Sequence, residues 1–189
     1  YSPTPAWCAG NQLVALNYQT GDESMFVNRA KFRDNGKCGY LLKPEALRSH
    51  DVQAERPVKL YVHVLGGISL PKPGGDTSGE IIDPFVKVSV FGHPDDKKEE
   101  ITPVIDNNGF DPIWNCVFEF IITQPSQALI CFQVRDDDSI GSEFVAQACA
   151  PLTCLQEGFR NVPLSDRDGT CSGPFQFASL FVNLKIEVQ

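Results

Sequence analysis

Histidine, tryptophan and methionine are scarce: three, two and one among 189 residues. His50, His63 and His93 are never spaced i,i+3 or i,i+4, and no Cys or Ser stands in a recognisable nucleophile elbow, so no catalytic residue is expected within this stretch. Gly66-Gly67 and Gly74-Gly75 lack the following Gly-Lys-Ser/Thr of a phosphate loop and read as turn glycines. No apolar run approaches the ~18 residues of a spanning helix, and the start, Tyr1 to Trp7, has neither a charged leader nor an apolar one. The expectation is a soluble chain. Basic residues are outnumbered, 16 Lys and Arg against 24 Asp and Glu, a net charge of −8 that argues against nucleic acid as a partner. The seven cysteines (8, 38, 116, 131, 149, 154 and 171) are odd in number and never paired as C-x-x-C. No N-x-S/T acceptor occurs either. Both facts fit reduced thiols in a cytoplasmic protein.

What is present is a globular balance, 42% apolar and 21% charged, distributed unevenly. Residues 1–56 carry a net charge of +1 and residues 57–189 a net charge of −9. The polar run 49–56, ending against Pro57, reads as a linker. Before it, Gln12 to Asn17 reads as a buried strand. Asp22 to about Arg33 reads as a helix, with Met25, Phe26, Ala30 and Phe32 near helical spacing and a stop at Asn35-Gly36. One strand and one helix cannot bury each other, so this piece is expected to lean on something outside the chain, as the tail of a longer protein would. After the linker, Val58, Leu60, Val62 and Val64 alternate with polar residues, and further strands are expected at 84–92, 100–106, 112–122, 128–135, 143–150, 177–188 and, more weakly, 158–164. A helical turn is expected near 151–157. The fold class is mainly β, an antiparallel eight-stranded sandwich. Trp7 and Trp114 are read as core residues, and Ile82 as a cap on that core.

If successive strands run antiparallel, the first, third and fifth connections share one end. They carry Asp76, Glu80 and Asp83, then Asp106, Asn107, Asn108 and Asp111, then Asp136, Asp137, Asp138 and Glu143. The loop 93–100 at the other end mixes acidic and basic residues and reads as a solvated turn. Two carboxylates ~4 Å apart repel by ~4 kcal/mol at an effective dielectric near 20, so converging ones either raise their pKa values or hold a cation. Oxygen-only donors select a hard ion, and a flexible cage drawn from several loops suits calcium better than magnesium. Solvated loop tips are the competing reading. An EF-hand fails, because Ile140 and Gln147 stand at the fifth and twelfth positions counted from Asp136.

Trp7, Gln12 to Thr20 and Asn35 to Pro44 resemble the end of the catalytic barrel of eukaryotic phosphoinositide-specific phospholipase C. Pro57 to Leu60, Ile81 to Pro84, Asn107 to Trp114 and Asp136 to Asp138 resemble the C2 domain that follows it, most like the delta type. The resemblance implies that residues 1–48 are the last strand and helix of a TIM barrel (the Y region), 49–56 the linker and 57–189 the C2 domain. It implies a parent enzyme that hydrolyses phosphatidylinositol 4,5-bisphosphate to diacylglycerol and inositol trisphosphate, with its two catalytic histidines ahead of Tyr1. A catalytically inactive phospholipase-like scaffold is the alternative, and a metal-free sandwich clamping the barrel is a third reading.

Carried over position by position, the resemblance implies that the Ile81 carbonyl, Asp83, Asn107, Asp136 and Asp138 hold Ca2+. Asp137 and Glu143 are further candidate ligands, and Ile140 is a candidate membrane contact. The third acidic connection is one residue shorter than the delta-type pattern, and Glu143 stands where Asp is usual. The implied partners are an anionic phospholipid membrane and the remainder of the barrel. The implied location is cytoplasmic, peripheral to the plasma membrane.

Overall fold

A computed structural model describes residues 1–48, 55–76, 79–138 and 141–189. Most of the expected linker, His50 and Ile140 lie outside the described residues.

Eight strands form two four-stranded antiparallel sheets: β1 (Val58–Ile68), β2 (Pro84–Phe91), β3 (Lys98–Ile101), β4 (Ile113–Ile122), β5 (Leu129–Asp138), β6 (Gly141–Pro151), β7 (Gly158–Pro163) and β8 (Ser179–Val188). Their orders are β4-β1-β8-β7 and β3-β2-β5-β6. The alternation legible in β1 buries Leu60, Val62 and Val64 between the sheets, beside Leu180 and Val182 of β8 and facing Val86, Val88, Ile130 and Phe132 of the second sheet. Trp114 and Ile82 join this core, as expected, and Trp7 is buried elsewhere. The turn near 151–157 is a single 3-10 turn, Leu152–Cys154.

The expected strand 100–106 is shorter and earlier. Pro103 has no N–H to give to the ladder, so after Ile101 the chain follows β2 only through Thr102 N and Ile105 N, bonded to Val86 O and Pro84 O. The loop before β3 is more than a solvated turn. Asp96 is 3% exposed and accepts from Thr123 N at 2.8 Å, Thr123 Oγ1 at 2.7 Å and Gln124 N at 3.0 Å, tying the 93–97 turn to the β4–β5 connection.

The first part of the chain is helical. α1 (Thr4–Cys8) precedes α2 (Glu23–Lys31), whose N-cap Asp22 accepts from Met25 N at 3.1 Å. Gln12 to Asn17 is not a buried strand: Leu13 is 94% exposed, and no described strand lies beside the segment to complete a ladder. The helix does find a partner within the chain. The outer face of the second sheet is apolar at Phe91, Leu129, Cys131 and Cys149, and Trp7, Val27 and Ala30 cover it. Beside this cluster Phe26 packs on Phe144 with ring centroids 5.4 Å apart, and the Arg167 guanidinium lies 4.4 Å from the Phe144 ring. Arg29 closes the joint by donating to Arg167 O and pairing with Asp168. The expectation that this piece leans outside the chain is therefore corrected for α2.

Cys131 and Cys149 stand directly opposite each other on β5 and β6, Cα atoms 4.1 Å apart, with their sulfurs adjacent on the outer face of the second sheet.

Candidate functional site

The three acidic connections do meet at one end, and backbone hydrogen bonds join them. The β3–β4 connection lies along the end of β1, with Gly67 N, Ser69 N and Leu70 N donating to Pro112 O, Phe110 O and Gly109 O. It is held to the β1–β2 connection by Asn108 N on Ile82 O at 3.1 Å. Gly109 is required there, since a Cβ would come within 2.7 Å of Ile82 Cγ1. Asn107 takes a left-handed φ of 52°, a conformation its short amide side chain tolerates. Asp111 N donates to the Asn108 side chain at 3.1 Å, so that amide is engaged in shaping the turn.

Asp83 sits at the hub. Its carboxylate accepts from Asn107 N at 2.6 Å, its N–H donates to Asp136 Oδ1 at 2.7 Å, and its carbonyl accepts from Asp137 N at 3.1 Å. One residue thus ties all three connections together.

The third acidic stretch is part of the sheet rather than a loose loop. β5 runs through Asp138, with Asp136 opposite Glu143, Asp137 opposite Ser142 and Asp138 opposite Gly141. Strand alternation puts Asp136 and Asp138 on one face and Asp137 on the other. Directly paired residues share a face, so Glu143 stands with Asp136. The electrostatics agree. Burial pushes the Asp136 carboxyl above its ordinary range, and the charges of Asp138, Asp83 and Glu143 push it further, against the opposing effect of the Asp83 N–H.

Of the sequence-expected residues, Asp83, Asn107, Asp136, Asp138 and Glu143 therefore converge. Asp137 lies on the opposite face of the hairpin from Asp136 and Asp138. Ile81 is 55% exposed at the rim, next to buried Ile82. Asp76 and Glu80 are exposed. Among the described residues, no group of three or more His, Cys, Asp or Glu side chains is gathered closely enough to enclose an ion. The donor set is nonetheless oxygen-only, and Asp136 carries the unfavourable charge density a divalent cation relieves. In chemistry the residues fit calcium.

Phe110, between Gly109 and Asp111, was not singled out in the sequence. Its backbone is pinned by Ser69 N, yet its side chain is 75% exposed at this same end. A large aromatic between a glycine and an acid in a polar connection was the available signal. The remaining described histidines are not part of the rim: His63 bonds the Asn115 side chain at 2.7 Å, and His93 Nδ1 accepts from Asp95 N at 3.4 Å.

Comparison with known proteins agrees with this architecture. Residues 1–46 match the phosphatidylinositol-specific phospholipase C Y domain, and residues 58–164 match the C2 domain. The chain is 42% identical to mouse 1-phosphatidylinositol 4,5-bisphosphate phosphodiesterase eta-1, over 98% of its own length and 11% of that protein. It is 38% identical to mouse inactive phospholipase C-like protein 2, over 98% of its length and 17% of that protein. The crystal structure of L. pealei PLC21 superposes with a TM-score of 0.87 at 31% identity, covering 100% of this chain and 24% of that one. The chain thus spans about a quarter or less of the curated relatives it matches. A mainly β C2 sandwich behind a short helical Y-domain segment, with these relatives along its whole length, belongs to the phosphoinositide-specific phospholipase C family.

Proposed function

We propose that this chain is the C-terminal part of a phosphoinositide phospholipase C, with residues 1–48 closing the catalytic barrel and 57–189 docking the enzyme on an anionic membrane through calcium. The parent protein would hydrolyse phosphatidylinositol 4,5-bisphosphate, at the cytoplasmic face of the plasma membrane. No residue of this chain is assigned a catalytic role. The observation that carries the proposal is the convergence of Asp136, Asp138, Asp83 and Glu143, with the Asp136 carboxyl pushed upward by burial and then by the other three charges.

In this reading the side chains of Asp83, Asn107, Asp136 and Asp138 and the Ile81 carbonyl hold the ion, Glu143 is an added ligand, and Asp137 is set aside because it faces away. Bound calcium supplies positive charge and open positions for lipid oxygens. Two ions would bring the −9 of residues 57–189 to −5, with the change concentrated at the rim. The chain's part is to prearrange the donors: the Asn107 and Asp83 N–H bonds fix two carboxylates before any ion arrives.

Calorimetric titration of calcium into the chain tests this. The wild type should give a saturable heat, and Asp136→Asn with Asp138→Asn should abolish it while leaving the circular dichroism unchanged. Equal heats would remove the site. The inactive phospholipase-like scaffold is the second reading, favoured by the 38% identity to the inactive relative. Hydrolysis of phosphatidylinositol 4,5-bisphosphate by the full-length protein separates the two, since a scaffold would dock without turnover.

A further inference from the structure

The outer face of the β4-β1-β8-β7 sheet carries an apolar cleft of about 400 Å³ that the docking reading does not use. Its origin is a break in β1. The register shifts between Val64 and Gly66, and Gly66 then stands in one row between Ile113 of β4 and Phe181 of β8. With no side chain at the middle of that row, the outer two form walls over a backbone floor. Only glycine fits there, because a Cβ on Gly66 would lie 2.8 Å from Pro112 O. Leu65 and Ile68 complete the walls, and Asp111 is the one charged residue on the lining. Ile113 is 72% exposed, and Ile68 and Phe181 are also exposed.

This cleft shares the β3–β4 connection with the acidic rim. The β3–β4 connection supplies Asn107 to the rim and Pro112 to the cleft, five residues later, a reach of at most ~18 Å. Three backbone bonds fix that connection to Gly67 of β1 and to Ser69 and Leu70 just beyond it, so rim and cleft are held on one backbone-bonded segment. A filled rim calls for anionic oxygens, and an apolar cleft beside it calls for hydrocarbon. A phospholipid carries both on one molecule, and the acyl chain of one leaflet spans about 15 Å, half the hydrocarbon core.

We infer that the Gly66–Ile113–Phe181 cleft takes an acyl chain of the same anionic phospholipid whose head-group oxygens meet the rim. The domain then lies on the membrane along the β1–β4 end of this sheet, not on its loop tips alone. The inference rests on the docking reading and deepens it.

Two soluble probes test it on the chain in millimolar calcium: dihexanoyl phosphatidylserine below its micelle concentration, and glycerophosphoserine, which has the head group and no chains. The wild type should bind the short-chain lipid on the order of tenfold more tightly than the chainless compound. Ile113→Ser with Phe181→Ser, both at exposed positions away from the rim, should erase that gain and leave chainless binding and the calcium heat unchanged. Equal affinity of the wild type for the two probes, or a gain that survives in the double variant, would overturn the cleft assignment. So would a wild-type dimer in sedimentation that the double variant dissolves, which would give the cleft to a second copy. No calcium heat at all would instead overturn the docking reading itself, and is told apart because it is seen before any lipid is added.

Discussion

Replacing Phe26 with alanine tests whether the C2 sheet holds the barrel-derived helix as a separately detachable part. Phe26 is buried in α2 and packs on Phe144 of β6, 5.4 Å between centroids, while the main core between the sheets contains neither residue. Truncating a buried phenylalanine costs about 3–5 kcal/mol, which already includes the aromatic pairing. A nine-residue helix cannot persist once it leaves its support. The loss therefore falls on the local opening of residues 23–31. At about 1.4 kcal/mol per tenfold, amide exchange there should accelerate by about 10²- to 4 × 10³-fold, with β1 and β8 amides unchanged. Hydrogen exchange read by mass spectrometry resolves these segments. If β1 and β8 lose protection equally, helix and sandwich form one cooperative unit, and the reasoning that separates them is wrong. If residues 23–31 are unaffected, the Phe26–Phe144 contact does not hold the helix.

Asp96→Ala should destabilise the sandwich by about 3 kcal/mol in urea titration, because three donors lose one charged acceptor. Gly109→Ala should lower calcium affinity about tenfold in calorimetry at a stability cost of about 1–3 kcal/mol, since the new Cβ presses on Ile82 and displaces the connection carrying Asn107. The Asp136 carboxyl is held above the ordinary 3.8, so the calcium-free fold gains from its protonation. Relative to Asp136→Asn, the wild type should lose stability as pH rises through that elevated value, and its calcium heat should weaken as pH falls through it. A stability difference that does not vary with pH would remove the charge crowding inferred at the rim.

The sandwich was legible because its signal is local: alternation in Val58, Leu60, Val62 and Val64 fixes which side of β1 faces inward whatever the partner. Gln12 to Asn17 misled because an apolar run says a strand could be buried, not that a neighbouring strand is at hand. Asp96 and Asp95 are indistinguishable in sequence, and only the arrival of Thr123 and Gln124 makes Asp96 a buried acceptor. The common end of the acidic connections followed from antiparallel order alone. The roles of Asp137 and Glu143 did not, because they depend on the hairpin remaining paired through Asp138, whereas the run of three aspartates looked like loop. The cleft depends on a register shift in β1 that no residue spacing announces.

The central claim, that the acidic rim docks this domain through calcium, is tested most directly by sedimenting the chain with phosphatidylserine-containing vesicles in calcium and in chelator. Capture in calcium, release in chelator, and no capture of Asp136→Asn with Asp138→Asn in either is the predicted result. Equal capture of the wild type with and without chelator, or undiminished calcium-dependent capture of the double variant, would contradict it.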